Sequence, residues 1–515
     1  MPSAARRVKV GVEGSYALCV WAASALLLIL VSVPIFSTVL PPLFDYPNHL
    51  ARMHLLREGG NAFYAVRWAA LPNLAQDLIV PPLARLMPLE LASKLFLVAI
   101  FGLIAGGTIW LNRVATGAWR MWPLLGFLLL YNRVFLWGFV NYLFGIGLAL
   151  IGVALWLSLE PKRVELRVLA SVAIALACYF SHIAAFGVYV LAIFGVELLP
   201  ALAEWRASQR AALARRIAIA SAQFVTPAVI SLLYIQQTGN GPVSYPAFWR
   251  KFDLLFSVFD NYDRAFDIAC FVLFVGLLGW LAYMRRLQPA RRLGCAVAVV
   301  FAAYLLLPSQ ALGGFGLDRR LPIAVFLLLI AASAPIFPSR RAAAMVGIAA
   351  ALMLVARSTV IEHVWRQADR VYSSDLAGID ALPRGAKLAI ATSINAVHVT
   401  AVPRVHLAAM AVARREAFVQ TIFAEPGQQP LALNPPYAEL AASVPPEQFW
   451  AAIVDADRAM MSRLLPVLQQ YDYVVVAAAR PVSVPSNRCL ERFFDQPGFQ
   501  IFTILHDPGC MGSAE

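Results

Sequence analysis

Uncharged apolar stretches begin at Tyr16 and recur until Ala356, separated by polar connections in which arginine is frequent. The longer stretches reach the roughly 20 residues that an α-helix needs to cross the hydrocarbon core of a bilayer. Eleven spans are predicted: Tyr16 to Val39, Leu95 to Leu111, Ala118 to Asn132, Val134 to Leu159, Val168 to Ser181, Ile183 to Pro200, Ile217 to Gln236, Ile268 to Met284, Leu293 to Leu307, Leu321 to Phe337 and Ala342 to Ala356. The fifth and sixth are read as a hairpin broken at Ser181-His182. The first is too long for the apolar part of a secretory signal and is followed by Pro41-Pro42 without a convincing cleavage site.

Charge on the connections orients this pattern, because cytoplasmic loops collect Lys and Arg. With the N-terminus inside, the short inner connections hold 18 basic residues and the longer outer ones 12. Merging the fifth and sixth spans would move the Arg206 to Arg216 cluster to the opposite face. The same orientation puts the first outer loop, residues 40–94, and everything after Ala356 outside the cytoplasm.

Beyond Ala356 the periodicity changes. Helical stretches alternate with β-rich runs at Lys387 to Ala391, Tyr471 to Ala477 and Phe499 to Leu505, punctuated by Pro and Gly. The predicted fold is therefore mostly α, a polytopic transmembrane helical protein over residues 1–357, with a C-terminal extracytoplasmic α/β domain over residues 358–515.

Composition supports this reading. Of 515 residues, 60% are hydrophobic and 14% charged, against about 45–50% and about 25% in soluble domains. The net charge of +13 divides unevenly: 30 basic and 14 acidic residues up to Arg357, then 12 and 15. The basic excess sits on loops between spans, so no water-exposed basic module for nucleic acid is visible. Cys489 and Cys510 are the two cysteines of the tail. In an oxidising compartment they could pair or remain free thiols.

Polar groups retained near a bilayer are costly and usually functional. Phe44-Asp45-Tyr46-Pro47-Asn48-His49-Leu50-Ala51-Arg52 opens the first outer loop. Pro47 suits the first turn of a helix with Asp45 or Tyr46 at its cap, and His49, Arg52 and Met53 share a face of that helix. Arg133 and Asn141 flank the outer turn of a hairpin, and His182 occupies the next outer turn. Asp260, Asp263 and Arg264 lie in the third outer loop, and Asp318, Arg319 and Arg320 precede the tenth span. Their common side predicts one outward-facing cavity. A carboxylate there can deprotonate an incoming hydroxyl or amine, and arginines at the boundary can hold a phosphate leaving group. Helix capping for Asp45 and lipid-phosphate anchoring for Arg319-Arg320 are the plain structural alternatives.

No cofactor is evident. The seven histidines lack ligand spacing for a metal, although Asp45 and His49 leave a shared divalent ion open. Gly313-Gly314-Phe315-Gly316 lacks the Lys-Ser/Thr of a nucleotide loop.

The acidic first loop directly after the first span, the many spans and the outer C-terminal domain resemble the GT-C superfamily of integral-membrane glycosyltransferases. The resemblance implies a bacterial inner-membrane enzyme taking a sugar from a polyprenyl-phosphate carrier on the extracytoplasmic side. The acceptor, glycan, lipid or protein, stays unspecified. On that resemblance Asp45 is the candidate base of an inverting transfer. Arg319, Arg320 and Arg133 would hold the carrier phosphate, and His49 or His182 would orient the sugar or the base. Many members carry paired acids where this chain has Asp45 alone, followed by Tyr46-Pro47. A flippase for lipid-linked glycans and a non-catalytic assembly subunit are the competing readings.

Overall fold

The computed structural model describes residues 4–160, 162–235, 242–311, 314–393, 401–425, 427–506 and 510. Gln236, the expected end of the seventh span, and Gly313 lie outside them.

Helix α1 (Ala4–Phe36) leads through an irregular turn into α2 (Tyr46–Glu58), α3 (Ala75–Leu83) and α4 (Leu89–Thr116). Then come α5 (Arg133–Leu136), α6 (Val140–Ser158), α7 (Val164–Ser181), α8 (Ile183–Arg206), α9 (Arg210–Ala222) and α10 (Val225–Ile235). Helices α11 (Phe248–Leu255), α12 (Arg264–Tyr283), α13 (Arg291–Leu306), α14 (Leu317–Ala331) and α15 (Arg340–Asp380) complete the apolar part. Among the described residues seven helices are long and apolar enough to cross a membrane, or eight if the bent pair α9 and α10 is one span.

The difference from eleven has local causes. Ala118 to Asn132 does not form an α-helix. Its core, Trp122–Leu129, is a 3-10 segment that ends where Asn132 caps the short α5. The expected span from Val134 is broken at Trp137-Gly138-Phe139, where Gly138 takes a left-handed φ of +94°. Helices α13 and α14 have 16 and 15 residues, short of the length that spans about 30 Å of hydrocarbon at about 1.5 Å per residue. The break at Ser181-His182 is present: His182 is extended and caps α8 by accepting the Ala184 N–H at 3.0 Å.

Helices α4 and α6 pack so closely that a Cβ on Gly107 or Gly147 would run into the facing helix, at 2.9 Å from Leu150 and 2.6 Å from Leu103. Small residues at such crossings let backbones approach where no hydrophobic effect drives helices together. Helix α15 passes straight through the expected boundary at Ser358. Its buried positions Arg357, Ile361, Trp365, Ala368, Tyr372, Leu376 and Ile379 recur every three or four residues, so one stripe packs along both parts of the molecule.

The three β-rich runs become strands Lys387–Thr392, Tyr473–Ala477 and Phe499–Ile504, at the centre of a five-stranded mixed sheet. Lys387–Thr392 pairs in parallel with Tyr473–Ala477 and with Phe418–Val419; Phe499–Ile504 runs antiparallel between Tyr473–Ala477 and Leu490–Gln496. The central Ala389, Ile390, Val474, Val475 and Val476 are fully buried, as expected of strands covered on both faces. A separate ladder joins the two parts of the chain. Tyr64–Val66 of the first loop pairs antiparallel with Leu431–Leu433, and the Tyr64 hydroxyl donates to the Val419 carbonyl while accepting the Val419 N–H. Cys489 and Cys510 are free thiols, the Cys489 Sγ lying 3.6 Å from the Cys510 carbonyl.

Candidate active site

Asp45 stands at the N-cap position of α2, with Pro47 in the first turn, but its side chain makes no capping hydrogen bond. It is held through its backbone: the Asp45 N–H donates to the Trp137 carbonyl at 3.1 Å, and its own carbonyl accepts the His49 N–H at 3.0 Å. The carboxylate is thereby left to face a cavity of about 1020 Å³. Burial pushes its pKa up to about 7, with the positive charges of Arg52 and Arg320 opposing the rise.

Ahead of the C-terminal part, four separated segments bring polar groups to the cavity. Asp45, His49 and Arg52 come from the first loop, Asn141 from the start of α6, His182 from the turn between α7 and α8, and Arg320 from the start of α14. Apolar side chains including Val188, Leu191, Leu307 and Leu321 form much of its wall, and Phe423, Glu425, Gln428 and Gln429 line it from the C-terminal part. The wall is therefore part charged and part greasy.

Three of these groups have definite anchors. Arg52 donates from Nε to Asp77 Oδ1 at 2.7 Å in a buried pair, so its charge is partly neutralised before any ligand arrives. Asn141 accepts the Gln76 N–H and donates to Asn73, serving as a bracket between α3 and α6. His49 Nε2 donates to the Gly138 carbonyl at 3.0 Å, and burial together with Arg52 drives its pKa down to about 3. Its Nδ1 is buried and has no hydrogen-bond partner among the described residues.

Arg320 is held in place but keeps donors to spare. Its backbone carbonyl accepts the Tyr142 hydroxyl at 2.7 Å, and its guanidinium lies 4.7 Å from the Phe139 ring centroid. Nη2 donates to the Phe315 carbonyl, Nη1 sits 3.3 Å from His182 Nε2, and Nε is buried with no partner among the described residues. Because His182 Nδ1 accepts the Ala184 N–H, a neutral His182 carries its proton on Nε2. Two donors then face each other across 3.3 Å. Such a pair lacks an acceptor, and an anionic oxygen is the group that satisfies both.

The other expected residues do not reach the cavity wall. Arg133 is bonded to Asp260 in a largely buried ion pair. Asp263 caps α12 by accepting the Phe266 N–H at 3.0 Å. Asp318 is fully buried against Lys251 at 2.9 Å, and the Arg319 guanidinium is 5.3 Å from the Trp137 ring centroid and 5.1 Å from that of Phe315. The side chains that loop charge groups on one face are thus engaged with partners of their own. Among the described residues no three His, Cys, Asp or Glu side chains form a group that could hold a metal ion.

His406 is not among the expected residues. It reaches from the C-terminal part to within 3.5 Å of Asp45 Oδ1 through Nε2, and its ring packs edge-on against Phe44 and Phe423. It also meets Asn48, from which 358 positions separate it in the chain. Only the closure of the first loop onto residues 401–425 brings His406 to Asp45, and nothing local in the sequence signals it.

The sequence matches no family model and no curated protein. Among solved structures, it is similar to ArnT from Cupriavidus metallidurans bound to undecaprenyl phosphate, at a TM-score of 0.57 and 10% identity, over 97% of this chain and 99% of that one. The chain has an ArnT-like fold. At 10% identity the likeness concerns the path of the backbone through nearly the whole chain. The ArnT-like architecture agrees with the polytopic membrane fold expected from the apolar pattern.

Proposed function

We propose that this chain is a membrane glycosyltransferase that moves a sugar from a polyprenyl-phosphate carrier to an acceptor on the extracytoplasmic side. The observation that carries the reading is that Asp45 and Arg320 line one cavity whose remaining wall is largely apolar. A carrier that is half lipid and half charged head requires that combination. The ArnT-like fold, seen in a protein bound to undecaprenyl phosphate, and the GT-C resemblance of the first loop support it.

In the proposed step Asp45 takes the proton of the acceptor hydroxyl as the acceptor oxygen attacks the anomeric carbon. The new C–O bond forms while the bond from that carbon to the phosphate oxygen breaks, which inverts the centre. Polyprenyl phosphate leaves with the electron pair, held by Arg320 and the His182 Nε2–H. A carboxylate with a pKa near neutrality suits the proton transfer. Glu425, Gln428 and Gln429 line the C-terminal side of the cavity, and on this reading they would meet the acceptor. No cofactor is assigned a role.

The test is an assay of the purified protein in liposomes with a panel of polyprenyl-phosphate sugars and acceptor extracts. Transfer supports the enzyme. Movement of the carrier across the bilayer without transfer supports a flippase, and neither activity supports an assembly subunit.

A further inference from the structure

Asn48 holds the C-terminal part against α2 through three contacts. Its Oδ1 accepts the Phe423 N–H at 2.8 Å, its Nδ2 donates to the Thr421 carbonyl at 2.8 Å, and the same Nδ2 lies 3.2 Å from His406 Nδ1. The first two contacts fix which end of the amide is oxygen, because a backbone N–H only donates and a carbonyl only accepts. Nδ2 must then donate to His406 Nδ1 as well. That leaves the proton of the neutral imidazole on Nε2, the atom 3.5 Å from Asp45 Oδ1.

We propose that His406 is a positioning residue for Asp45, its tautomer set by Asn48, so that the C-terminal part of the chain completes the candidate active site. The inference rests on the transferase reading for its functional meaning, but the contact itself does not. Neutral His406 turns its Nε2–H toward the carboxylate, 3.5 Å away, which on this proposal fixes the rotamer of Asp45. Burial holds the His406 pKa down at about 4, so the imidazole stays neutral over the range in which Asp45 titrates. The edge-on packing of Phe44 and Phe423, with ring centroids at 5.1 Å in each case, keeps the imidazole plane in place.

Other groups also act on the carboxylate. Arg52 of α2 and Arg320 of α14 both favour its charged form, and His49 is neutral beside it. His406 differs in coming from the far end of the chain. A histidine that donates to a carboxylate stabilises the ionised form, so its loss raises the carboxylate pKa.

The test labels the full-length protein in nanodiscs with a water-soluble carbodiimide, which reacts with protonated carboxyl groups, and reads Asp45 modification by mass spectrometry against pH. The labelling midpoint is expected to rise by about one pH unit in His406→Leu and to return toward the wild-type value in His406→Gln, which restores a donor. An unchanged midpoint in a folded His406→Leu overturns the proposal. If that variant does not fold, the ¹⁵N spectrum of histidine-labelled wild type decides: His406 must be the Nε2–H tautomer at neutral pH, and the Nδ1–H tautomer overturns the proposal. Both readouts work without sugar transfer, so failure of the transferase reading and failure of this contact are distinguishable.

Discussion

Gly138 lies directly against Asp45: a Cβ at position 138 would come within 2.8 Å of the Asp45 Cβ and 3.1 Å of its backbone nitrogen. The turn that splits the expected fourth span is thus the mould that holds the candidate base. Gly138 also has a φ of +94°, which disfavours any side chain. Gly138→Ala should lower transfer by about 10–100-fold through displacement of the carboxylate. Size-exclusion elution at the wild-type volume checks that the variant is folded.

On the proposed mechanism transfer should rise with pH along a single ionisation near 7, since a carboxylate takes a proton only when ionised and the Asp45 pKa is raised to about 7. Arg320 favours the ionised form, so Arg320→Gln should move that limb to higher pH as well as weakening carrier binding. A pH–rate profile flat from well below to well above neutrality would contradict the assignment.

The same shift predicts a trade between stability and function. Asp45 has a folded pKa of about 7 against an ordinary value of 3.8. The folded state therefore binds the proton more tightly, and stability is lost as pH rises from about 4 through 7, with the full penalty above that. Asp45→Asn removes the penalty and should be more stable in mild alkali by on the order of 1–3 kcal/mol, with the gain fading toward acid pH. Thermal unfolding midpoints of both proteins across that range measure it.

Arg52 and Asp77 form a pair with side chains 1% and 0% exposed. Removing one partner leaves the other charge buried, so Asp77→Ala should cost about 3–5 kcal/mol. Arg52→Met combined with Asp77→Leu should cost less than Asp77→Ala alone, which a comparison of thermal midpoints checks.

Much of this arrangement is legible in the sequence where the signal is local. Asp45 before Tyr46-Pro47 marks a helix start, the polar His182 marks a helix break, and the valine-rich run at Tyr473–Ala477 marks a central strand. Arg133, Asp260, Asp318 and Arg319 are equally conspicuous, but a sequence does not say which charges find partners. Arg133 meets Asp260 across 127 positions and Asp318 meets Lys251 across 67. The apolar content of Trp122–Leu129 exceeds what its backbone can use as a span, because Pro123 and Gly126 do not favour a continuous α-helix. His406 and Asn48 are out of reach for the same reason as the ion pairs. Their meeting depends on the first loop closing on the C-terminal part.

The decisive comparison sets wild type beside Asp45→Asn in one preparation, measuring both binding of undecaprenyl phosphate and transfer from a polyprenyl-phosphate sugar. If Asp45 is the base, the variant binds the carrier as wild type does while transfer falls by about 10²–10⁴-fold. Transfer at the wild-type rate by a folded Asp45→Asn would contradict that role.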